Sequence, residues 1–274
     1  MNSKKSNCTY SRIPVVIIRK RKAKKYVVIA CARRPTTASI ASAIWSKQPS
    51  RISYLRLDTL GILLHMANVG PGARVLVVES CGGMVTGAVA ERMGGHGHVV
   101  ATYLSPKPTS IELVKSFNFT PEIAETITQR SFSSLLLSSP KEEEKLSFIK
   151  SSDDGDGTEI NTTNDTKKML FSGLIVVGRV PLTPTTLIQT LFPLLIPSAS
   201  FGMHSSHLQP LADALQYLRK SGSAVNVMLQ EAWWREQQVL PGRTHPTMNM
   251  NHGGGYMLSG TVTLSGTSTR VHSA

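Results

Sequence analysis

The chain has 274 residues, of which 41% are hydrophobic, and it carries a formal net charge of +13. This length accommodates one large domain with appendages or two small domains. The charge favours a polyanionic partner, either nucleic acid or an anionic membrane face, although basic tails on a neutral domain would give the same total. The three cysteines Cys8, Cys31 and Cys81 lack metal-ligand spacing, which argues against a zinc site and a disulfide framework. No run of about 20 apolar residues predicts a membrane span.

We expect residues 1–50 to form a basic segment or linker without a core of its own. Six of the seven residues at its centre are basic, namely Arg19, Lys20, Arg21, Lys22, Lys24 and Lys25. Such a run is typical of a solvated linker, of a nuclear import signal or of an arm that contacts phosphates. We take these six side chains as the candidate RNA-binding residues.

Strands and helices alternate beyond this segment and predict one α/β domain over residues 51–265. Residues 54–72 are typical of a helix and a turn, and residues 239–252 of a loop. Strands are predicted at 74–79, 98–103, 171–177, 200–204, 225–231 and 255–263, and further helices at 83–93, 110–117 with Ser110 as its N-cap, 184–195 and 208–220. This order indicates a Rossmann-like fold, in which a mostly parallel sheet has helices on both faces and an antiparallel edge.

Two segments fall outside this pattern. Residues 138–168 are polar, charged and poor in aromatic side chains, so they cannot bury enough apolar surface to offset the entropy that ordering costs. We expect them to be a disordered acidic insertion within the domain and not a boundary between two domains. Residues 266–274 are expected to be a tail.

The turn after the first strand, Glu79–Gly87, lies where α/β folds bind nucleotides. Methyltransferases of this architecture commonly have an acidic residue and three alternate glycines there, so that the backbone can approach S-adenosylmethionine. With Glu79 as the acidic residue, the glycine positions fall on Cys81, Gly83 and Val85, with Gly82 between the first two. Two of the three positions therefore carry a side chain, which we expect to project into the path of the cofactor.

Two other strand ends lack groups that a cofactor site needs. The second strand should end in a carboxylate that binds the ribose hydroxyls, but it ends in Tyr103 and Leu104. The fourth strand should end in a polar or acidic residue near the target base, but Gly178 and Arg179 follow it. We therefore predict no bound cofactor and no catalytic residue, with the remaining glycines serving a tight turn that Glu79 holds by accepting backbone N–H bonds.

Four stretches resemble a known family, namely Tyr54–Leu60, Val77–Gly95, Ala224–Pro246 and Gly253–Gly260. They are similar to the non-catalytic subunit of the eukaryotic tRNA adenine-N1 methyltransferase. The part from Arg235 to Pro246 is specific, because it is not a general feature of Rossmann folds.

The resemblance implies a chain that is not itself an enzyme. It implies a catalytic sister subunit of the same fold, which binds S-adenosylmethionine and methylates an adenine in the T-loop of tRNA. Two such heterodimers would form a nuclear heterotetramer, in which this chain helps to bind tRNA and completes the assembly. An active RNA methyltransferase with a divergent cofactor loop remains an alternative, as does a fragment that no longer assembles. The family has a barrel-like domain before a lysine-rich linker, and we expect this chain to begin within that linker.

Five residues are candidates for the subunit interface, namely Trp233, Trp234, Arg235, Arg243 and His245. Aromatic side chains beside arginine suit a protein interface or RNA stacking, and packing of an edge strand is the alternative. We favour the interface, since the resemblance implies assembly through methyltransferase-like domains. His204 and His207 have no third ligand beside them in the sequence, so no metal site is predicted.

Overall fold

The structure, a computed structural model, describes residues 19–20, 22, 32, 34–104, 108, 110–137, 171–248 and 253–263. The chain divides into two units, Met1–Arg34 and Pro35–Ala274. In the first unit, Arg19, Lys20 and Lys22 are helical and exposed. The predicted insertion at 138–168, the tail at 266–274 and the basic residues Arg21, Lys24 and Lys25 lie outside the described residues.

A seven-stranded sheet forms the centre of the second unit. Its strands are β1 Arg74–Glu79, β2 His98–Tyr103, β3 Ile127–Ser131, β4 Phe171–Val177, β5 Leu195–Ser205, β6 Ala224–Glu231 and β9 Tyr256–Val262, in the order β3-β2-β1-β4-β5-β9-β6. The pairs from β3 to β5 are parallel, whereas β9 runs antiparallel to both β5 and β6. The predicted mostly parallel sheet with an antiparallel edge is confirmed, with β6 outermost.

Helices cover both faces of the sheet. They are α1 Thr37–Lys47, α2 Leu57–Met66, α3 Met84–Met93, α4 Glu112–Ser116, α5 Pro121–Glu125, α6 Phe132–Leu137, α7 Pro184–Leu191 and α8 Leu208–Ser221, with short 3-10 helices at Pro49–Ile52 and Phe192–Leu194. Strand alternation divides the core, because Val75 and Val77 of β1 pack with α1 to α4 while Leu76 and Val78 pack with α7 and α8. Within the described residues, no helix is both long and apolar enough to cross a membrane.

The folded unit begins earlier in the chain than residue 51. Helix α1 starts at a capping box, in which Thr36 and Ser39 bind each other's backbone N–H groups. It buries Ile40 and Ala41 in the same cluster as α2 and α3. The backbone N–H of Thr37 also donates to the carboxylate of Glu91 over 2.7 Å. The sequence did not predict this helix, because its apolar face contains only a few residues.

The structure differs from the sequence-based predictions at three further places. Helix α4 begins at Glu112 after Ile111, with no side-chain cap, so the predicted cap at Ser110 is wrong. Strand β3 was not predicted, because its mostly polar residues are only partly buried and show no apolar alternation. The loop predicted at 239–252 contains a hairpin, since β7 Gln237–Leu240 pairs with β8 Arg243–Pro246 in a separate two-stranded sheet. The chain reverses at Pro241 and Gly242, and Gly242 has a φ of +70°.

Candidate functional site

Glu79 ends β1 and holds the first turn of α3. Its carboxylate accepts the backbone N–H groups of Val85 at 3.1 Å and Thr86 at 2.8 Å, together with the Thr86 hydroxyl. Burial raises the pKa of the Glu79 carboxyl, while these hydrogen bonds lower it. The prediction that Glu79 holds the turn through backbone N–H groups is confirmed, and these contacts commit its oxygens to a structural role.

Cys81 and Val85 occupy two of the three positions where the cofactor motif has glycine. Both side chains are fully buried and belong to the hydrophobic cluster beneath the turn. The expectation that they project into the path of the cofactor is therefore wrong. Burial raises the pKa of the Cys81 thiol, and the charge of Glu79 raises it further, so this thiol stays protonated.

The glycine turn is covered by Ile111 and the first residues of α4. The backbone N–H of Leu113 donates to the carbonyl of Gly82 over 3.1 Å. Gly83 adopts φ +93°, and a Cβ there would lie 2.9 Å from the Cβ of Ile111 and 3.0 Å from Cγ2 of Val114. The backbone that a cofactor would approach is therefore in contact with the chain's own side chains. The sequence carries no clear signal for this cover, because it depends on where α4 docks.

The crevice between β1 and β4 is closed by polar contacts. Parallel α/β sheets bind ligands at this point, where the strand order reverses. Here the Ser80 hydroxyl accepts the backbone N–H of Arg179 over 2.7 Å and lies 3.4 Å from the Ser53 hydroxyl. A Cβ at Gly178 would lie 2.8 Å from the same Ser53 oxygen. These contacts fasten the ends of the two strands together.

The carboxylates that a cofactor site needs after β2 and β4 are absent from the described ends of these two strands. β2 ends at Tyr103, and β4 is followed by Gly178 and Arg179. Glu112 of α4 does carry a carboxylate near the turn, but it forms an ion pair with Arg51 at 3.3 Å. In the part of the chain that the structure describes, no group of three or more His, Cys, Asp and Glu side chains could hold a metal ion.

A second candidate site is the segment Trp233–Met248, which we call the β7–β8 arm. Trp233, Trp234 and Val239 are 67%, 60% and 74% exposed. The structure brings the predicted interface residues together on this arm, where Trp233, Trp234 and Arg235 precede β7, and Arg243 and His245 lie on β8, all of them exposed.

The base of the β7–β8 arm is fastened by Arg56, whose guanidinium donates to the carbonyl of Trp234 over 3.1 Å. A two-stranded hairpin has little stability of its own, and a cluster of exposed apolar side chains is typical of a contact surface. Sequence reasoning missed Val239, Leu240 and Met248 because the hairpin itself was not predicted.

Comparison with known proteins identifies relatives of the chain. The model of the Gcd10p family matches residues 19–163. The chain is 33% identical over 293 residues to the "tRNA (adenine(58)-N(1))-methyltransferase non-catalytic subunit" of Dictyostelium discoideum, and 29% identical over 315 residues to the protein of that name from Mus musculus. The alignments cover 94% and 90% of this chain but only 55% and 63% of those proteins. The chain therefore spans little more than half the length of these relatives.

Solved structures share the architecture. A SAM-dependent O-methyltransferase from Thermotoga maritima superposes with a TM-score of 0.60 at 15% identity, covering 82% of this chain and 71% of that one. The tRNA methyltransferase TrmI from Aquifex aeolicus gives 0.58 at 14% identity, covering 84% and 76%. At such identities the likeness concerns the fold alone, and it confirms the predicted Rossmann-like fold.

Proposed function

The chain belongs to the Gcd10p family, and on that premise we propose that it is a non-catalytic subunit of a tRNA methyltransferase. The name that its relatives carry supports this role. The observation that carries the proposal is the covered glycine turn, in which Ile111 and Leu113 contact the backbone of Gly83 and Gly82. A chain that cannot bind S-adenosylmethionine cannot transfer its methyl group, so the chemistry falls to a partner.

Titration of S-adenosylmethionine into the chain alone, followed by calorimetry, tests the absence of a cofactor site. We expect no binding heat at ligand concentrations where the catalytic subunit, as the positive control, is saturated. Binding at micromolar affinity would instead favour an active methyltransferase with a divergent cofactor loop.

The partner of the proposed assembly is a catalytic subunit that docks on the β7–β8 arm. Exposed tryptophans beside arginines are the residue types that most often carry binding energy at protein interfaces. Two such heterodimers would form a heterotetramer. Docking would bury the exposed faces of Trp233, Trp234 and Val239 and would add contacts to a hairpin that has few of its own.

Co-expression with the catalytic subunit tests this assembly. We expect co-purification and, by light scattering, the mass of two heterodimers. The double substitution Trp233→Ala and Trp234→Ala should reduce co-purification, whereas Leu208→Ala should not, because Leu208 is 46% exposed on α8 and lies outside the arm. If the unaltered chain fails to co-purify, the proposed role is contradicted, and a fragment that no longer assembles becomes the better description.

We further propose that the complex binds tRNA partly through the basic run and works in the nucleus. The net charge of +13 supports contact with a polyanion, and the run from Arg19 to Lys25 also fits a nuclear import signal. Replacing its six basic residues by glutamine in a fluorescent fusion should shift the protein to the cytoplasm. Unchanged nuclear signal would show that the run is not needed for import.

A further inference from the structure

A cavity of about 320 Å³ lies at the carboxyl end of β5, next to the closed crevice. Its lining includes Trp45, Ser53, Tyr54, His204, Ser206 and Gly253. Its volume is at the lower end of the range for small-molecule sites, which is about 300–1,000 Å³. None of the described lining residues carries a carboxylate, an ammonium or a guanidinium group, so the cavity suits an uncharged group.

The aromatic part of the lining rests on an unusual stretch of backbone. Ser53 and Tyr54 are consecutive non-glycine residues with φ of +51° and +56°. The backbone N–H of Ser53 donates to the carbonyl of Ser50 over 3.1 Å, and that of Tyr54 to Pro49 over 3.0 Å. Side chains rarely adopt this conformation, and residues held in it cluster at binding sites. It brings Tyr54, which is half exposed, to the same cavity as Trp45.

His204 lines the cavity and has one buried ring nitrogen without a hydrogen-bond partner among the described residues. The residue is 3% exposed, and its Nε2 lies 3.1 Å from the carbonyl of Gly254, which requires the proton to be on Nε2. Nδ1 is then an acceptor, and it has no hydrogen-bond partner among the described residues. Burial lowers the pKa of His204, so the ring stays neutral near pH 7 and keeps this acceptor. The hydroxyls of Ser53 and Ser206 add two further polar groups to the lining.

Cations flank the cavity although none lines it. Lys47 and Arg51 are exposed and lie two residues before and after the lining residue Pro49 in the sequence, and Arg51 is paired with Glu112 at 3.3 Å. Arg179 is also exposed, and its backbone N–H donates to the hydroxyl of Ser80, which lies 3.4 Å from the hydroxyl of the lining residue Ser53. An uncharged, partly aromatic cavity with a basic rim matches one unit of a nucleic acid strand, which has a neutral base and a charged phosphate.

We propose that this cavity binds an unpaired nucleobase of single-stranded RNA. The base would stack on Trp45 and Tyr54 and form hydrogen bonds with the polar groups of the lining, while Lys47 contacts an adjoining phosphate. The inference rests on the proposed function in that the RNA would be the tRNA held by the complex. It adds a base-binding site to a subunit whose cofactor turn is closed.

Tryptophan fluorescence gives a direct test. The chain has three tryptophans, and the substitutions Trp233→Phe and Trp234→Phe on the arm leave Trp45 alone. In this otherwise full-length chain, a single-stranded RNA of about ten nucleotides should quench the emission of Trp45, and the same sequence in a duplex should not. Equal quenching by the duplex, or quenching by S-adenosylmethionine and not by the RNA, would overturn the proposal.

A blocking substitution with a matched control locates the site. Gly253 is exposed, and a Cβ there would meet nothing within 4 Å. Gly253→Leu should therefore fill part of the cavity without displacing backbone. The substitution should raise the Kd for RNA, measured by the quenching, by roughly tenfold, which is the effect of losing about one stacked base. Gly70→Leu is the control, because Gly70 also has nothing within 4 Å and precedes β1, at the end of the parallel strands opposite the cavity. Equal quenching in the two variants would contradict the assignment.

The same variants separate this inference from the proposed function. Gly253→Leu should co-purify with the catalytic subunit as well as the unaltered chain does, because the cavity lies outside the β7–β8 arm. Loss of co-purification by the unaltered chain would count against the proposed function. Normal co-purification without RNA-dependent quenching of Trp45 would count against the cavity alone.

Discussion

Gly83 is constrained both by its backbone and by its neighbours. Its φ of +93° disfavours any side chain, and a Cβ would lie 2.9 Å from that of Ile111. Gly83→Ala should therefore lower the free energy of unfolding by about 3 kcal/mol, measured by urea denaturation. Gly72→Ala is the control: φ is +78° but nothing lies within 4 Å of the added Cβ. It should cost about 1 kcal/mol, and equal losses would show that Ile111 does not press on the turn.

His204 makes folding dependent on pH. Burial lowers its pKa from the usual 6.5, so the unfolded chain takes up a proton at a pH where the folded chain does not. Its contribution to stability is therefore complete above about pH 6.5 and is lost as the pH falls through the folded-state pKa. The unaltered chain should lose more unfolding free energy between about pH 8 and pH 5 than His204→Gln does. Parallel curves would exclude His204 as the responsible group, since His98, whose pKa burial also lowers, is present in both chains.

The two sides of the glycine turn differed in how well they could be predicted. The role of Glu79 follows from residue order, because its partners Val85 and Thr86 lie only six and seven residues further along the chain. The cover by Ile111 depends on the docking of a five-residue helix, which local periodicity does not determine. The inward orientation of Cys81 depends in the same way on the surrounding core.

At the scale of elements, α1 is part of the folded core. Ile40→Ala should lower the free energy of unfolding by about 2–4 kcal/mol, because Ile40 is only 9% exposed and packs in the cluster of α2 and α3. Lys47→Ala, at an exposed position of the same helix, should change it by less than about 0.5 kcal/mol. Both values can be measured by thermal or chemical unfolding. If Ile40→Ala proved as neutral as Lys47→Ala, the domain would begin after α1, as the sequence analysis expected.

Elements were predictable where burial imposes a pattern on the sequence. β1, β2 and β4 are apolar through most of their length because both faces are covered by helices, and their predicted bounds match the structure. β3 and the hairpin of β7 and β8 are mostly polar or exposed, so their residues do not alternate. A strand on the sheet edge or in an isolated hairpin is stabilised by its partner strand, and the sequence of one strand does not contain that information.

For the whole molecule, the net charge of +13 predicts binding to tRNA that weakens with salt. If all six basic residues between Arg19 and Lys25 contact phosphates, replacing them by glutamine should reduce the slope of log K against log salt by up to about 5. Titrations of the assembled complex at several salt concentrations would measure it. The control, Arg219→Gln with Lys220→Gln, removes two exposed charges at the end of α8 and should leave the slope unchanged. An unchanged slope in the six-residue variant would remove the run from the RNA-binding surface.

The contact between Ile111 and Gly83 also determines what it would take to rebuild a cofactor site in this chain. Glycine at Cys81 and Val85 would restore the pattern of the cofactor motif, but both side chains are buried in the core and do not block the turn. The backbone of the turn is covered by Ile111 and Leu113, so the restored glycines would still lie under another part of the chain. A cofactor site could therefore be rebuilt here only by moving α4 away from the turn, and not by changing residues of the turn alone.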